Sequence, residues 1–275
     1  MNYPRRFIFR GNASGISAHI RRPNDRILTV QASSSLPVIG GVSESKVQGQ
    51  SLDDYLSFES AETSARGDFA NAKAAIDITN HKKQPDEVPT QTFVSARVAG
   101  LKIGDKFSAE LAQVGLGSKS PRNRGDQVPF RLDGNKLEGL KVAGRSLKIT
   151  LDERIFNRCE TLESLQTAYS NGLAKEQAAM FHTPARGGGK KLQVSEGLAY
   201  ATLVRKMEWP EGKPDGVEEL GPNAFYLNDF GSVFFGEILI SSAYRRITMI
   251  RFQFGSPFGG EAFAAEGETN GSYWP

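Results

Sequence analysis

The amino-acid sequence predicts a mainly β protein, an antiparallel β-sandwich or barrel with one or two short helices around residues 161–181. Three observations predict it. Two runs, 233–240 and 247–254, are dense in β-branched and aromatic residues and flank the polar segment 241–246, which is the composition of a hairpin. Short apolar segments recur at 93–98, 107–116, 128–132, 137–142 and 147–151 with turn residues between them, the pattern of a sandwich or barrel. Phenylalanine, at 17, outnumbers tyrosine and tryptophan, and 29 glycines punctuate the chain as turns between short strands would.

Taken in order, residues 1–35 carry three short apolar runs, 7–9, 16–20 and 27–30, split by Gly11-Asn12, Gly15 and Pro23-Asn24-Asp25. These are turn chemistries, so two or three short strands are expected. Residues 33–45, with Pro37 and Gly40-Gly41, read as a loop around one short strand. Ser51-Leu52-Asp53-Asp54 has a helix-capping spacing, and 51–58 suits a short helix or a strand. Residues 72–79 are equally divided between helix and strand, and 80–89, with two prolines, is a loop. Thr161 can cap a helix whose Leu162, Leu165, Ala168 and Tyr169 share one face, and Asn171-Gly172 ends it before a second short helical stretch in 173–181. Residues 183–191 form a glycine-rich loop, 198–209 a strand, 210–222 a loop, and 255–275 a tail broken by Gly-Ser and Gly-Gly that ends in Tyr273-Trp274-Pro275.

The register of the main hairpin follows from asking which pairing yields one clean apolar face, because a one-residue slip turns every side chain over. Setting Glu237 opposite Arg251 puts Phe234, Gly236, Ile238 and Ile240 on one face with Thr248, Ile250, Phe252 and Phe254. A lone hairpin is marginal in water, so further strands must cover it.

At 275 residues and 39% hydrophobic content the chain is expected to form a single β-rich domain over 1–275, in which residues 1–48 can pack more loosely. A net charge of +3 is too mild to argue for nucleic acid, even with Arg5, Arg6, Arg10, Arg21, Arg22 and Arg26 close together near the N-terminus. One cysteine, Cys159, cannot form an internal disulfide, and it reads as a buried structural residue. That usage, the lack of a signal-peptide core in residues 1–10 and the lack of any run near the roughly 18 apolar residues of a membrane helix lead to an expectation of a soluble, cytoplasmic protein.

The motif search returns weak matches. Gly187-Gly188-Gly189-Lys190-Lys191 has glycines and lysines but neither the spacing nor the following helix of a phosphate loop. Arg66-Gly67-Asp68 and Arg124-Gly125-Asp126 repeat a receptor-binding tripeptide, yet Gly-Asp is common in turns. His19, His81 and His182 lack partners at metal-ligand spacing, and no Gly-x-Ser-x-Gly elbow occurs, so neither a metal nor another cofactor is expected. The densest charges in apolar surroundings are Asp229, Glu237, Arg245, Arg246 and Arg251, where a carboxylate beside arginines is a tuned acid, an anion site or a satisfied cross-strand pair.

The expected function is therefore that of a non-catalytic interaction or structural protein, binding a protein partner or self-associating through its β-rich surface. The alternative is a hydrolase or isomerase-like β-barrel enzyme whose catalytic set would be His182, Asp229, Glu237 and Arg251. A deep pocket lined by those residues favours the enzyme, and flat exposed strands favour the scaffold.

Overall fold

In a computed structural model of the protein, the structure describes residues 7–69, 73, 80, 88–120, 126–183, 190–191, 197–242, 244–270 and 272–273. In chain order the strands are β1 (Phe7–Ile8), β2 (Gly11–Ile20), β3 (Arg26–Ser35), β4 (Gly41–Leu52), β5 (Leu56–Phe69), β6 (Thr90–Ile103) and β7 (Phe107–Lys119). Then come β8 (Phe130–Leu132), β9 (Lys136–Glu138), β10 (Leu140–Val142), β11 (Arg145–Leu151), β12 (His182–Thr183), β13 (Lys190–Lys191), β14 (Leu198–Thr202) and β15 (Val204–Glu208). The last six are β16 (Val217–Gly221), β17 (Ala224–Leu227), β18 (Gly231–Ser241), β19 (Arg245–Phe254), β20 (Gly260–Thr269) and β21 (Ser272–Tyr273). Three short helices, α1 (Arg154–Arg158), α2 (Leu162–Ser170) and α3 (Lys175–Ala179), follow β11.

Two antiparallel sheets face each other, and neither closes on itself among the described residues, so the architecture is a sandwich and not a barrel. The first sheet runs β16-β17-β18-β19-β20-β2-β3, with β14 taking over from β17 along β18. The second runs β15-β11-β10-β7-β6-β5-β4, with β8 and β9 completing the edge of β7. Strands β2, β19 and β20 pack across β5, β6 and β7, burying Ile16, Ile250, Phe252 and Ala264 against Ala61, Val94, Val98 and Val114. Strand β2 sits in the middle of its sheet between β3 and β20.

The long strands do not keep one alternation from end to end. In the first sheet the pairing skips Gly236, Met249, Ala265, Gly15 and Ala32, one residue per strand in a row across β18, β19, β20, β2 and β3. Gly236, Ala265 and Ala32 hold left-handed backbones with φ of 56°, 57° and 55°. A residue in that conformation works as a bulge and shifts the phase of the side chains beyond it. In β18, Val233 and Phe235 are buried before the slip and Ile238 and Ile240 after it. The second sheet has a matching row, Gly49, Glu59, Gly100 and Glu110, across which β6 changes from Val94, Ala96 and Val98 to Leu101 and Ile103.

This slip corrects the expected hairpin. Arg251 stands opposite Phe234, and Glu237 opposite Thr248. The core face carries Val233, Phe235, Ile238 and Ile240, so Phe235 points inward and Phe234 outward. A strict period of two cannot accommodate Gly236, which is why the single-face argument chose another register.

Further boundaries also differ. The segment 198–209 is two strands in two sheets, divided at Leu203, whose N–H donates to Gly236 in the first sheet at 2.7 Å while its carbonyl accepts from Asp152 beside the second at 2.7 Å. Residues 51–58 hold a turn between β4 and β5, and 33–45 is mostly strand. The expected loop at 210–222 contains β16, and the expected tail contains β20, a central strand. Helix α2 begins as anticipated: Ser164 donates its N–H to the Thr161 hydroxyl at 3.2 Å, Thr161 returns its own to Ser164 at 3.1 Å, and Leu162 and Leu165 are buried. Cys159 is buried and unpaired. Most of the divided segment 72–79, most of the loop at 80–89, Arg124-Gly125, Gly187-Gly188-Gly189 and Trp274 fall outside the described residues. No helix among the described residues is long and apolar enough to cross a membrane.

Candidate functional site

The phase slip turns Glu237 and Leu239 of β18 toward the outer face of the first sheet, where Arg246, Thr248 and Arg251 of β19 also lie. Tyr200 of β14, Glu261, Phe263 and Glu266 of β20, and Ser17 and His19 of β2 complete a groove of about 460 Å³. Its centre is a cluster of three side chains. Arg251 donates through Nε and Nη2 to the two oxygens of Glu237 at 2.6 and 2.7 Å, and the Tyr200 hydroxyl donates to the same carboxylate. The Arg251 guanidinium lies 3.9 Å from the centre of the Phe234 ring, its cross-strand neighbour. Phe234 itself belongs to a small outer apolar cluster with Leu220 and Ala224.

Burial, followed by the nearby Glu237 carboxylate, pushes the Tyr200 phenol well above its ordinary range. Burial is the largest single influence on Arg251 and works against its charge, but hydrogen bonding to Glu237, the negative charge of that carboxylate and the nearby Tyr200 together outweigh it and hold the guanidinium pKa above its ordinary value. The cluster is thus a protonated phenol and a guanidinium locked on one carboxylate, a bidentate pair with fixed geometry. At the rim Thr248 donates to Glu266 at 2.7 Å and His19 pairs with Asp25 at 2.6 Å.

The sequence-derived candidates separate. Glu237 and Arg251 meet, although diagonally and not as the directly opposed pair. Asp229 sits in the turn before β18 with φ 55° and lines a different pocket of about 380 Å³, beside Tyr55, Phe230, Phe254 and Phe258. The backbone of His182 forms β12, and its side chain lies outside the described residues. Arg246 lines the groove, whereas Arg245 points the other way, between the sheets. Tyr200 was missed because its partnership with Glu237 depends on β14 pairing with β18, which no local spacing announces. Among the described residues no three His, Cys, Asp or Glu side chains gather as a metal cluster.

A family profile described as a domain of unknown function, DUF8256, matches residues 7–192. The chain belongs to the DUF8256 family. Among curated proteins, none matches it. The DUF8256 match spans β1 to β13 and stops before β14, so Ser17, Ala18 and His19 are the groove residues inside it, while Tyr200, Glu237 and Arg251 lie beyond it.

Proposed function

We propose that this DUF8256 protein is a non-catalytic interaction protein that associates with a second copy of itself through the open side formed by β3 and β4. The observation that carries this reading is the distribution of exposed apolar side chains. Ile27, Val30, Val38, Ile39 and Val42 fall together between residues 27 and 42, and among the described residues only Phe93 and Leu198 are comparable elsewhere. Ile39 is 80% exposed and Val42 60%. Among the described residues strand β3 ends the first sheet and β4 ends the second with no further strand on either, and the two pack side by side, so their backbone edges and apolar side chains share one side of the sandwich. Such edges are usually blunted by charge, proline or cover, yet β4 is a 12-residue strand whose charged residues are Glu44 and Lys46 alone.

That pair also suggests the geometry. If two β4 strands meet antiparallel about a two-fold axis at Ser45, Glu44 of each copy faces Lys46 of the other, and the interface is self-complementary. Lys46 now pairs with Glu62 at 2.6 Å, but an exposed pair of this kind contributes about 0–1 kcal/mol and can be exchanged. The enzyme reading has less support, because both oxygens of Glu237 are held by Arg251 and Tyr200 and the carboxylate is not poised to accept a substrate proton.

Light scattering across a concentration series is the test. The parent protein is expected to approach a dimer mass, Glu44→Lys to shift toward monomer, and Glu44→Lys combined with Lys46→Glu to recover the dimer. A parent that stays monomeric throughout, or a Glu44→Lys variant that dimerises like the parent, would falsify the proposal.

A further inference from the structure

Arg245 on β19 is fully buried between the sheets, and among the described residues it forms no ion pair with a carboxylate. Its guanidinium carbon lies 5.7 Å from the centre of the Phe130 ring, and Nη2 donates to the carbonyl of Val128. Nε and Nη1 find no hydrogen-bond partner among the described residues. The buried hydroxyls of Thr90, Thr92, Ser118 and Thr269 are orphaned in the same way.

Topology brings these groups together. Thr269 is the cross-strand neighbour of Arg245, and Gly11 is the next neighbour of Thr269. A Cβ on Gly11 would lie 2.9 Å from the Thr92 methyl of the opposing sheet. Thr92 stands opposite Ser118, and Ser118 opposite Phe130, the ring that the guanidinium covers. The path from Arg245 through Thr269 and Thr92 to Ser118 and Phe130 therefore returns to Arg245, and every side chain on it is at most 2% exposed.

Each unmade hydrogen bond in such a place destabilises the folded protein, and an unpaired buried charge does so more strongly. Burial lowers the Arg245 pKa to about 10, which leaves the guanidinium charged at neutral pH. A water molecule could accept from Nε and Nη1, but it would supply no counter-charge. A small anion supplies both, and the surrounding hydroxyls can turn their protons toward it.

We propose that this interior cluster binds a small monovalent inorganic anion of the chloride class, held by Nε and Nη1 of Arg245 and by the hydroxyls of Thr92, Ser118 and Thr269. A single cation enclosed by packed strands selects for one negative charge and small size, which disfavours phosphate or a carboxylate ligand. The site is independent of the association through β4.

The test compares thermal midpoints in sodium chloride, sodium bromide and sodium gluconate at equal ionic strength, for the full chain and for Arg245→Met and Thr269→Val. Chloride and bromide should raise the parent midpoint by roughly 2–4 °C over gluconate, because a ligand of the folded state stabilises it by mass action. Arg245→Met should lose that difference and Thr269→Val should show a smaller one. Crystals soaked in bromide should show an anomalous peak in contact with the Arg245 guanidinium, a readout that stands even if Arg245→Met does not fold. The same halide dependence in parent and variants, or no bromide peak at Arg245, overturns the assignment.

Discussion

Glu268 and Asp152 are two carboxylates whose surroundings drive them in opposite directions. Burial, reinforced by the neighbouring Glu266, raises the Glu268 pKa despite Arg246 nearby. Asp152 is buried, yet Arg154 lowers its pKa by donating from Nε at 2.9 Å, from Nη2 at 2.5 Å and from its backbone N–H at 3.0 Å. The signs for stability follow from linkage. A raised folded-state pKa means that Glu268 contributes stability below its unfolded value, and this contribution is lost as pH rises through the folded one. A lowered pKa means that Asp152 contributes stability above its unfolded value, lost as pH falls through the folded one. Urea midpoints measured from pH 7 down to pH 3 should therefore show Glu268→Gln more stable than the parent at pH 7, with the advantage fading as acid protonates Glu268. Asp152→Asn should be less stable than the parent at pH 7 and converge on it toward the acid end. Parallel profiles for all three proteins would contradict the assignment of these shifts.

Among the elements, the row of left-handed residues across the first sheet makes the most specific claim about how the sequence encodes the strands. Gly236 has φ 56°, and a Cβ there would lie 3.2 Å from the Cβ of Leu203, the residue at which the chain crosses from one sheet to the other. Gly236→Ala should destabilise the protein by about 1–2 kcal/mol, from the left-handed backbone and the tight contact together, as read by chemical denaturation. An unchanged midpoint would mean that β18 runs straight through this position. The same feature explains what could be read in the sequence. Strands rich in valine, isoleucine, leucine and phenylalanine, such as β6, β7, β18 and β19, were legible as strands, and so was the cap of α2. Their facing was not, because Gly236 in β18 and Gly100 in β6 look like ordinary glycines until φ is known. Strand β20 escaped altogether: its sequence, Gly-Glu-Ala-Phe-Ala-Ala-Glu-Gly-Glu-Thr, is poor in β-branched residues. The close approach of the sheets dictates that composition, since a Cβ on Gly267 would come within 3.2 Å of Val94 and 3.3 Å of Val114. Glu237 and Arg251 were visible as a charge pair in apolar surroundings, but Tyr200, which completes the cluster, was not.

For the molecule as a whole, the arrangement of the strands leads us to propose that the sandwich folds as one cooperative unit, although the family match ends at residue 192. That matched stretch contains β4 to β11 of the second sheet but only β2 and β3 of the first. Strand β2 owes one of its two neighbours to β20, which comes from the far end of the chain. Without β18, β19 and β20, the inner faces of β5, β6 and β7 lose Phe235, Ile250, Phe252 and Ala264 as cover, and Val94, Val98 and Val114 meet water. Each large apolar side chain uncovered costs about 1.5–3 kcal/mol, so a handful of them exceeds the roughly 5–15 kcal/mol by which a domain is stable. A fragment of residues 7–192 should accordingly give no cooperative thermal transition by circular dichroism and should bind a hydrophobic dye. The full chain should unfold in one step, with calorimetric and van't Hoff enthalpies in agreement. Supplying residues 197–275 in trans should restore at least part of the transition, because the missing strands dock through the backbone pairing of β20 with β2 and through the inner faces of both sheets. A fragment of residues 7–192 that unfolds cooperatively on its own would show instead that the second sheet can cover its core without the first.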